Sequence, residues 1–307
     1  MSLSIRFLGT SASRPTVERG VSALALVREG ETMLFDCGEG TQRQMMRWGV
    51  GFTLEDIFFT HFHTDHFLGV LGLLKTLSLQ AREAPLRVWG PRGATAIFKR
   101  AEGLGAEKLT FPLQVTELEP GAVIKRKEYE IRPFAVEHRH GSALGYVLAE
   151  YERLGRFDPD RARALGIPEG PLWGRIHKGE SVTLDDGRVI EAKELVGPTR
   201  SGRTVAIAGD TRPCAATIEA AAGADLLVHE ATFGDEDAAR AAETMHSTAR
   251  EAAQVARMAG VRTLALTHFS ARYARDTADL AREAGEEFKG ELVLARDGLE
   301  LEVPYRA

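Results

Sequence analysis

Between residues 57 and 66 an apolar, strand-like stretch, Ile57-Phe58-Phe59-Thr60, runs straight into His61-Phe62-His63-Thr64-Asp65-His66. Few structural needs place three imidazoles and a carboxylate there. Neutral imidazole nitrogens and carboxylate oxygens are preferred ligands of zinc and related transition metals. Alternation along an extended backbone puts His61 and His63 on one side, whereas Asp65 and His66, at the turn that follows, can point elsewhere. That split suits two adjacent metals better than one.

Three other apolar runs stop at the same kind of residue. Ile131 to Val136 leads to His138, Thr204 to Gly209 leads to Asp210, and Arg262 to Thr267 leads to His268. In layered α/β folds, ligands and catalytic groups gather at the loops leaving one end of the strands. Four such ends bring His61, His63, Asp65, His66, His138, Asp210 and His268 together. Three imidazoles and a carboxylate can hold one divalent ion; Asp65, His66, His268 and the same carboxylate can hold a second. Asp210 is the natural bridge, because a carboxylate has two oxygens to share. Such a pair of ions activates water and neutralises phosphodiester oxygens, so hydrolysis needs no organic cofactor.

Composition is that of an ordinary globular protein, with 44% hydrophobic and 27% charged residues in 307. A net charge of −5 gives no general attraction to nucleic acid. A polyanionic substrate must then be held by local basic patches and metals. Two cysteines, Cys37 and Cys214, make no disulfide framework and match no zinc-thiolate spacing. With no long apolar segment at the N-terminus or later, the expectation is a cytoplasmic protein without membrane insertion.

Periodicity predicts strands near 3–9, 22–28, 32–36, 55–60, 86–90, 112–118, 129–137 and 144–150, with helices near 40–48, 67–80 and 92–103. A second β and α series begins at Arg203. Between these halves, residues 152–196 break the pattern. Asp158-Pro159 has the chemistry of a helix start that Gly166 ends, and 181–190 reads as a hairpin turning at Asp186-Gly187. Ile167 to Gly174 reads as a stiff, glycine-rich stretch with an exposed tryptophan. Arg153, Arg156, Arg161, Arg163, Arg175 and Lys178 give the segment a modest positive excess. The expected organisation is one domain of residues 1–151 and 197–307 with a protruding module, 152–196, inserted in it.

These motifs resemble the metallo-β-lactamase superfamily, and within it the tRNA 3′-processing endonuclease family known as tRNase Z or ribonuclease Z, in the short form. The resemblance rests on Phe7-Leu-Gly-Thr10, Phe35-Asp-Cys-Gly-Glu-Gly-Thr-Gln42, the His61 to His66 motif, Ala208-Gly-Asp-Thr-Arg212, Val228-His-Glu-Ala-Thr-Phe233, His246-Ser-Thr248 and Leu266-Thr-His-Phe-Ser-Ala-Arg-Tyr273. It implies a four-layer αβ/βα metallo-β-lactamase sandwich with an inserted protruding arm, two zinc ions per chain, a homodimer and precursor tRNA as substrate. The inserted segment is similar to that family's flexible tRNA-gripping arm, with Gly170-Pro171 at its tip. Under the resemblance Asp65 also orients or deprotonates the attacking water. His246 is the general acid for the departing ribose 3′ oxygen, and Glu230 holds its tautomer and supports its charge. Ser270 and Arg272 are placed to contact a phosphate. His229, in an apolar run, reads as a core histidine.

Two departures stand out. Where the family has a Pro-x-Lys-x-Arg-Asn loop, this chain reads Pro15-Thr-Val-Glu-Arg-Gly20. The strand end at 137–141 offers two histidines, His138 and His140, of which alignment of the strand favours His138. A small-molecule hydrolase on the same fold, a thioesterase or lactonase, would carry a nearly identical ligand motif. The His246-Ser-Thr segment and the inserted module weigh against it, since a compact thioester site needs neither.

Overall fold

The computed structural model describes residues 2–104, 108–139, 142–184 and 186–306. His140 lies outside them. Two sheets of seven strands carry the larger of two compact units, which comprises 1–126, 130–148 and 204–304. The first sheet uses β1 (Leu3–Gly9), β2 (Ala23–Arg28), β3 (Glu31–Phe35), β4 (Leu54–Phe58), β5 (Leu86–Gly90) and β6 (Leu113–Glu117). The second begins with β7 (Ile124–Lys125), β8 (Tyr129–Ala135) and β9 (Leu144–Glu150). After a short ribbon of β10 (Val182–Thr183) and β11 (Val189–Ile190), it resumes with β12 (Thr204–Ile207), β13 (Leu226–Glu230), β14 (Thr263–Thr267) and β15 (Glu291–Leu294). The last strand, β16 (Glu300–Glu302), returns to the edge of the first sheet. Strand orders are β16-β1-β2-β3-β4-β5-β6 and β15-β14-β13-β12-β9-β8-β7. Parallel pairing runs from β3 to β6 and from β12 to β15.

Alternation along the strands explains the layering. On β3 and β4, Leu34 and Ile57 face a cluster that includes Val70, Leu73, Leu74 and Phe98, carried by helices on that side. These helices are α1 (Thr41–Arg47), α2 (Thr64–Phe67), α3 (Gly69–Leu79) and α4 (Ala94–Glu102). Their sequence neighbours Phe35 and Phe58 point the other way, stack on each other at 5.0 Å and meet the edge of Tyr146 from β9. The Tyr146 hydroxyl donates to the Phe59 carbonyl at 2.7 Å, which ties the second sheet to the strand end that carries the histidine motif.

Across the second sheet, α9 (Ala249–Ala259) packs on β13, β14, α7 (Ala215–Ala220) and α10 (Ala278–Glu287). Its buried face is almost all alanine, so helix and strands approach closely. The four-layer αβ/βα sandwich is therefore present.

The smaller unit comprises 127–129, 149–203 and 305–307, wider than the expected 152–196 segment. It has a core of its own, in which Ala162, Ile167, Ile176, Val182, Ile190 and Leu195 are buried. The expected start at Asp158-Pro159 is there: α5 (Pro159–Ala164) begins with the Asp158 carboxylate accepting the Arg161 N–H. Gly166 follows the helix in the left-handed region, φ 75°. The 182–190 ribbon forms the expected hairpin.

The reading of 167–174 as stiff coil with an exposed tryptophan is corrected. Pro171 opens a helix, α6 (Pro171–His177), and Trp173 packs on Phe157 at 5.2 Å with its indole N–H on the Ile167 carbonyl. Pro171 supplies the fixed φ of a first helical position, which outweighs the glycines around it.

At the base of this unit the buried Arg203 guanidinium grips Glu150 through Nε at 2.8 Å and Nη2 at 2.7 Å, while Tyr305 stacks between Arg203 and Arg153. Breaking such a buried pair typically costs about 3–5 kcal/mol, because the remaining charge is stranded. The positive excess of the unit is smaller than a count suggests. Arg163 is paired with Asp160 and Glu169, and Arg175 with Glu180, which leaves Arg156, Arg161 and Lys178 as exposed cations without an ion pair among the described residues.

Candidate metal centre

The larger unit brings the seven expected ligand residues together at its strand ends. His61 and His63 follow β4 and precede α2, whose first turn carries Asp65 and His66. His138 follows β8, Asp210 follows β12, and His268 follows β14. The donor atoms fall into three overlapping groups, His61, His63, His138 and Asp210 in one, Asp65, His66 and His268 in the second, and Asp210, His246 and His268 in the third. Asp210 faces the first two. Its Oδ2 lies 3.7 Å from His61 Nε2, 3.9 Å from His138 Nε2 and 3.4 Å from His66 Nε2, while Oδ1 lies 3.3 Å from His268 Nε2. Asp65 Oδ2 lies 3.4 Å from His268 Nε2 and 3.7 Å from His66 Nε2.

Hydrogen bonds behind the rings fix which nitrogen is bare. Asp36 accepts from the Thr60 hydroxyl at 2.8 Å and from His66 Nδ1 at 2.7 Å. With its own proton committed, Thr60 Oγ1 accepts from His61 Nδ1 at 3.0 Å. Thr232 donates to Glu230 at 2.6 Å and accepts from His268 Nδ1 at 2.9 Å. The Met245 carbonyl accepts from His138 Nδ1 at 2.9 Å. Each proton therefore sits on the outward nitrogen, and Nε2 of His61, His66, His138 and His268 presents a lone pair inward.

Two of those bare nitrogens, on His66 and His268, stand 3.3 Å apart. His61 Nε2 and Asp210 Oδ1 are buried with no hydrogen-bond partner among the described residues. Lone pairs converging in a dry pocket repel unless a cation lies between them. The residues thus fit a metal centre, and Asp36, Thr60, Thr232 and the Met245 carbonyl are its orienting shell.

Electrostatics agree. Burial holds His61 well below the ordinary imidazole range and lowers His63 and His138, so these rings stay neutral and able to ligate. His66 differs: burial opposes charge on it, yet the Asp210 and Asp36 carboxylates outweigh burial and raise the ring well above its usual value, which favours a cation on its Nε2, whether a proton or a metal ion. Negative charge in the site calls for a cation. His246, the ninth residue of this constellation with Glu230, behaves differently from His61. Burial opposes its protonation, but the Glu230 carboxylate at 2.7 Å from Nδ1 lifts its pKa to about 9. Its loop is held by Arg212, which donates to the His246 carbonyl at 2.6 Å and pairs with Glu251.

Among the described residues, four of the six non-glycine residues with positive φ sit at this site: Ser13 at 62°, Asp36 at 57°, Met245 at 62° and His268 at 58°. Each costs about 1–2 kcal/mol and is held by its surroundings. The Ser13 N–H donates to Asp65 Oδ2 at 2.7 Å, and Asp36 and Met245 orient His66 and His138. Gly209, φ 67°, precedes Asp210 where a Cβ would come within 2.9 Å of Thr60, so glycine lets Asp210 close on the segment that follows β4 in the other sheet.

Ser270 and Arg272 line a groove of about 400 Å³ beside the centre, with Ser13, Arg14, Thr232, Phe233 and Arg240. Arg272 is paired with Asp237, and the Ser270 N–H donates to the Thr232 carbonyl at 3.1 Å. His229 is buried and its Nδ1 lies 2.7 Å from the Glu230 carbonyl, as expected of a core histidine. Gly170 and Pro171 belong to the smaller unit. Sequence reasoning missed Asp36, Thr60 and Thr232 as orienting groups, and Arg14 and Arg240 as groove residues. Asp36 was within reach, since it lies in the motif that opens with Phe35; the arginines had no pattern to mark them.

Comparison with known proteins places the chain. A family model for the β-lactamase superfamily domain matches residues 31–164 and 173–269. The curated ribonuclease Z of Gemmatimonas aurantiaca is 62% identical over 99% of this chain and 96% of its own. That of Myxococcus xanthus is 50% identical over 99% of each. Among solved structures, human tRNase Z, short form, is 29% identical and superposes with a TM-score of 0.70, covering 98% of this chain and 99% of its own.

The shared carboxylate gives a direct test. Elemental analysis of the purified wild type is expected to find two transition-metal ions per chain, and Asp210→Ala is expected to lose both, because each of the first two groups then lacks the one carboxylate that faces both. One ion per chain in both proteins would contradict the shared-ligand arrangement.

Proposed function

We propose, from the premise that this chain belongs to the ribonuclease Z family, that it is a zinc-dependent endoribonuclease that removes the 3′ trailer from precursor tRNA. Hydrolysis of the phosphodiester leaves a 3′-hydroxyl on the tRNA and a 5′-phosphate on the trailer. The observation that carries this reading is full-length similarity to ribonuclease Z in a chain whose bare imidazole nitrogens converge on one buried carboxylate. The enzyme works as a cytoplasmic homodimer. No helix of the described residues is long and apolar enough to cross a membrane.

His61, His63 and His138 with Asp210 hold one zinc ion, and Asp65, His66 and His268 with Asp210 hold the other. When bound, such a pair would supply an acidified water and offset the charge of the phosphate oxygens. Asp65 would orient or deprotonate the attacking water; its carboxylate is held for the task by the Ser13 N–H. His246 keeps a proton on Nε2, the nitrogen not bonded to Glu230, and gives it to the leaving ribose 3′ oxygen. Glu230 accepts from His246 Nδ1, from the Thr211 N–H at 3.0 Å and from the Thr232 hydroxyl, so it cannot rotate away. Ser270 and Arg272 bind phosphate, and the 152–196 arm with Gly170-Pro171 at its tip grips the tRNA elbow.

The acid role fixes a pH dependence. His246 must be charged, so kcat should fall as pH rises through about 9. In Glu230→Gln the carboxylate that raises this value is gone, and the alkaline limb should move down toward the ordinary imidazole value of about 6.5. A limb that stays in place while metal content is unchanged would assign it to another group.

The arm separates a tRNA nuclease from a general phosphodiesterase on the same centre. Replacing 152–196 by a short glycine-rich linker should leave hydrolysis of a small chromogenic diester near the wild-type rate, since all seven ligand candidates lie outside it. Binding of precursor tRNA should weaken strongly and depend less steeply on salt, because fewer phosphate contacts release fewer counterions. Intact tRNA affinity with lost diester hydrolysis would make the segment part of the active-site domain instead.

A further inference from the structure

The groove beside the centre holds two guanidinium groups that no carboxylate neutralises. Arg14 and Arg240 are exposed, both line it, and neither has an ion pair among the described residues, whereas Arg272 on the same wall is paired with Asp237. Arg240 rests over the Phe233 ring at 5.8 Å from its centroid, which limits where its guanidinium can go. Both walls are bonded to the centre itself. Ser13, next to Arg14, donates its N–H to Asp65, and Thr232, next to Phe233, bonds His268. Unpaired arginines in a concave, polar groove of about 400 Å³ form an anion site large enough for a nucleotide.

The side of the scissile bond follows from the acid. Resting on the function proposed above, the bond that breaks joins phosphorus to the ribose 3′ oxygen, and the proton for that oxygen comes from His246. The nucleoside that keeps the 3′-hydroxyl must therefore lie on the His246 side. Phe233 is on that side, its ring 6.3 Å from the His246 ring, and Arg240 sits over Phe233. We propose that Arg240, resting on Phe233, holds the phosphate on the 5′ side of the last tRNA nucleotide, and so positions the leaving 3′ oxygen against His246. The role is a positioning one, because the phosphate held lies one nucleotide from the bond that breaks.

A pairing of variants with modified substrates tests this. Precursor tRNA is made with a single uncharged methylphosphonate either at the phosphate 5′ to the last tRNA nucleotide or at the first phosphate within the trailer. With the all-phosphate substrate, Arg240→Ala should lower kcat/KM roughly 10-fold or more, as expected for a charge-assisted hydrogen bond, and Arg240→Lys should keep part of the activity. With the 5′-side methylphosphonate, wild type should fall to a similar level and Arg240→Ala should fall no further. Losses that remain fully additive with it, or that merge instead with the trailer methylphosphonate, would overturn the assignment. A wild type that does not cleave the all-phosphate precursor would instead refute the proposed function. Thermal midpoints and metal content of the variants, expected to match wild type, exclude loss through misfolding.

Discussion

Everything at the site hangs on one buried carboxylate with two separately aimed oxygens. Asp210 cannot be solvated where it sits, and burial alone would raise its pKa, yet the surrounding imidazoles, His268 and His66 foremost, hold it well below the ordinary carboxylate range. A charge in that position is tolerable only if several groups of opposite character converge on it. The two sheets, four strand ends and at least three strained backbone positions serve that convergence. Tyr146, bonded across the sheets to the Phe59 carbonyl, sets the registry that lets His61 and Asp210, from different sheets, meet.

The orienting shell shows how proton placement is inherited outward. Asp36 takes protons from both Thr60 and His66; Thr60 is thereby left to accept from His61. Thr232 repeats the logic between Glu230 and His268. A single hydroxyl thus couples the histidine proposed as a ligand to the carboxylate proposed to support the acid. Burial keeps His61 neutral and the Glu230 carboxylate keeps His246 charged, although both rings are largely buried. Opposite protonation states at close quarters suit a reaction that needs both ligands and an acid.

Much of this was legible in the chain. Strand ends advertised themselves, because an apolar run that stops at His or Asp is a local pattern. The division of His61 and His63 from Asp65 and His66 follows from alternation, then a turn. Tertiary packing hid the rest. Whether Trp173 is exposed depends on a helix opened by Pro171 and on Phe157, fourteen residues before Pro171. The cationic count of the arm overstated its free charge, since Arg163 and Arg175 find carboxylates within a few residues. Arg14 and Arg240 carry no motif and are joined only by the groove that the fold creates. The expected departure at Pro15 to Gly20 also gains a physical reading, for Arg19 is buried there and donates to the Thr10 hydroxyl and to the Ala274 and Ala295 carbonyls.

The central claim is that this centre cleaves RNA by water attack with departure of the ribose 3′ oxygen. Analysis of the end groups formed from a precursor tRNA carrying a 3′ trailer tests it most directly. The account expects a 3′-hydroxyl on the tRNA, a 5′-phosphate on the trailer, and loss of both products when a chelator strips the metal. A 2′,3′-cyclic phosphate on the tRNA with a 5′-hydroxyl on the trailer would mean attack by the neighbouring ribose hydroxyl, and would contradict it.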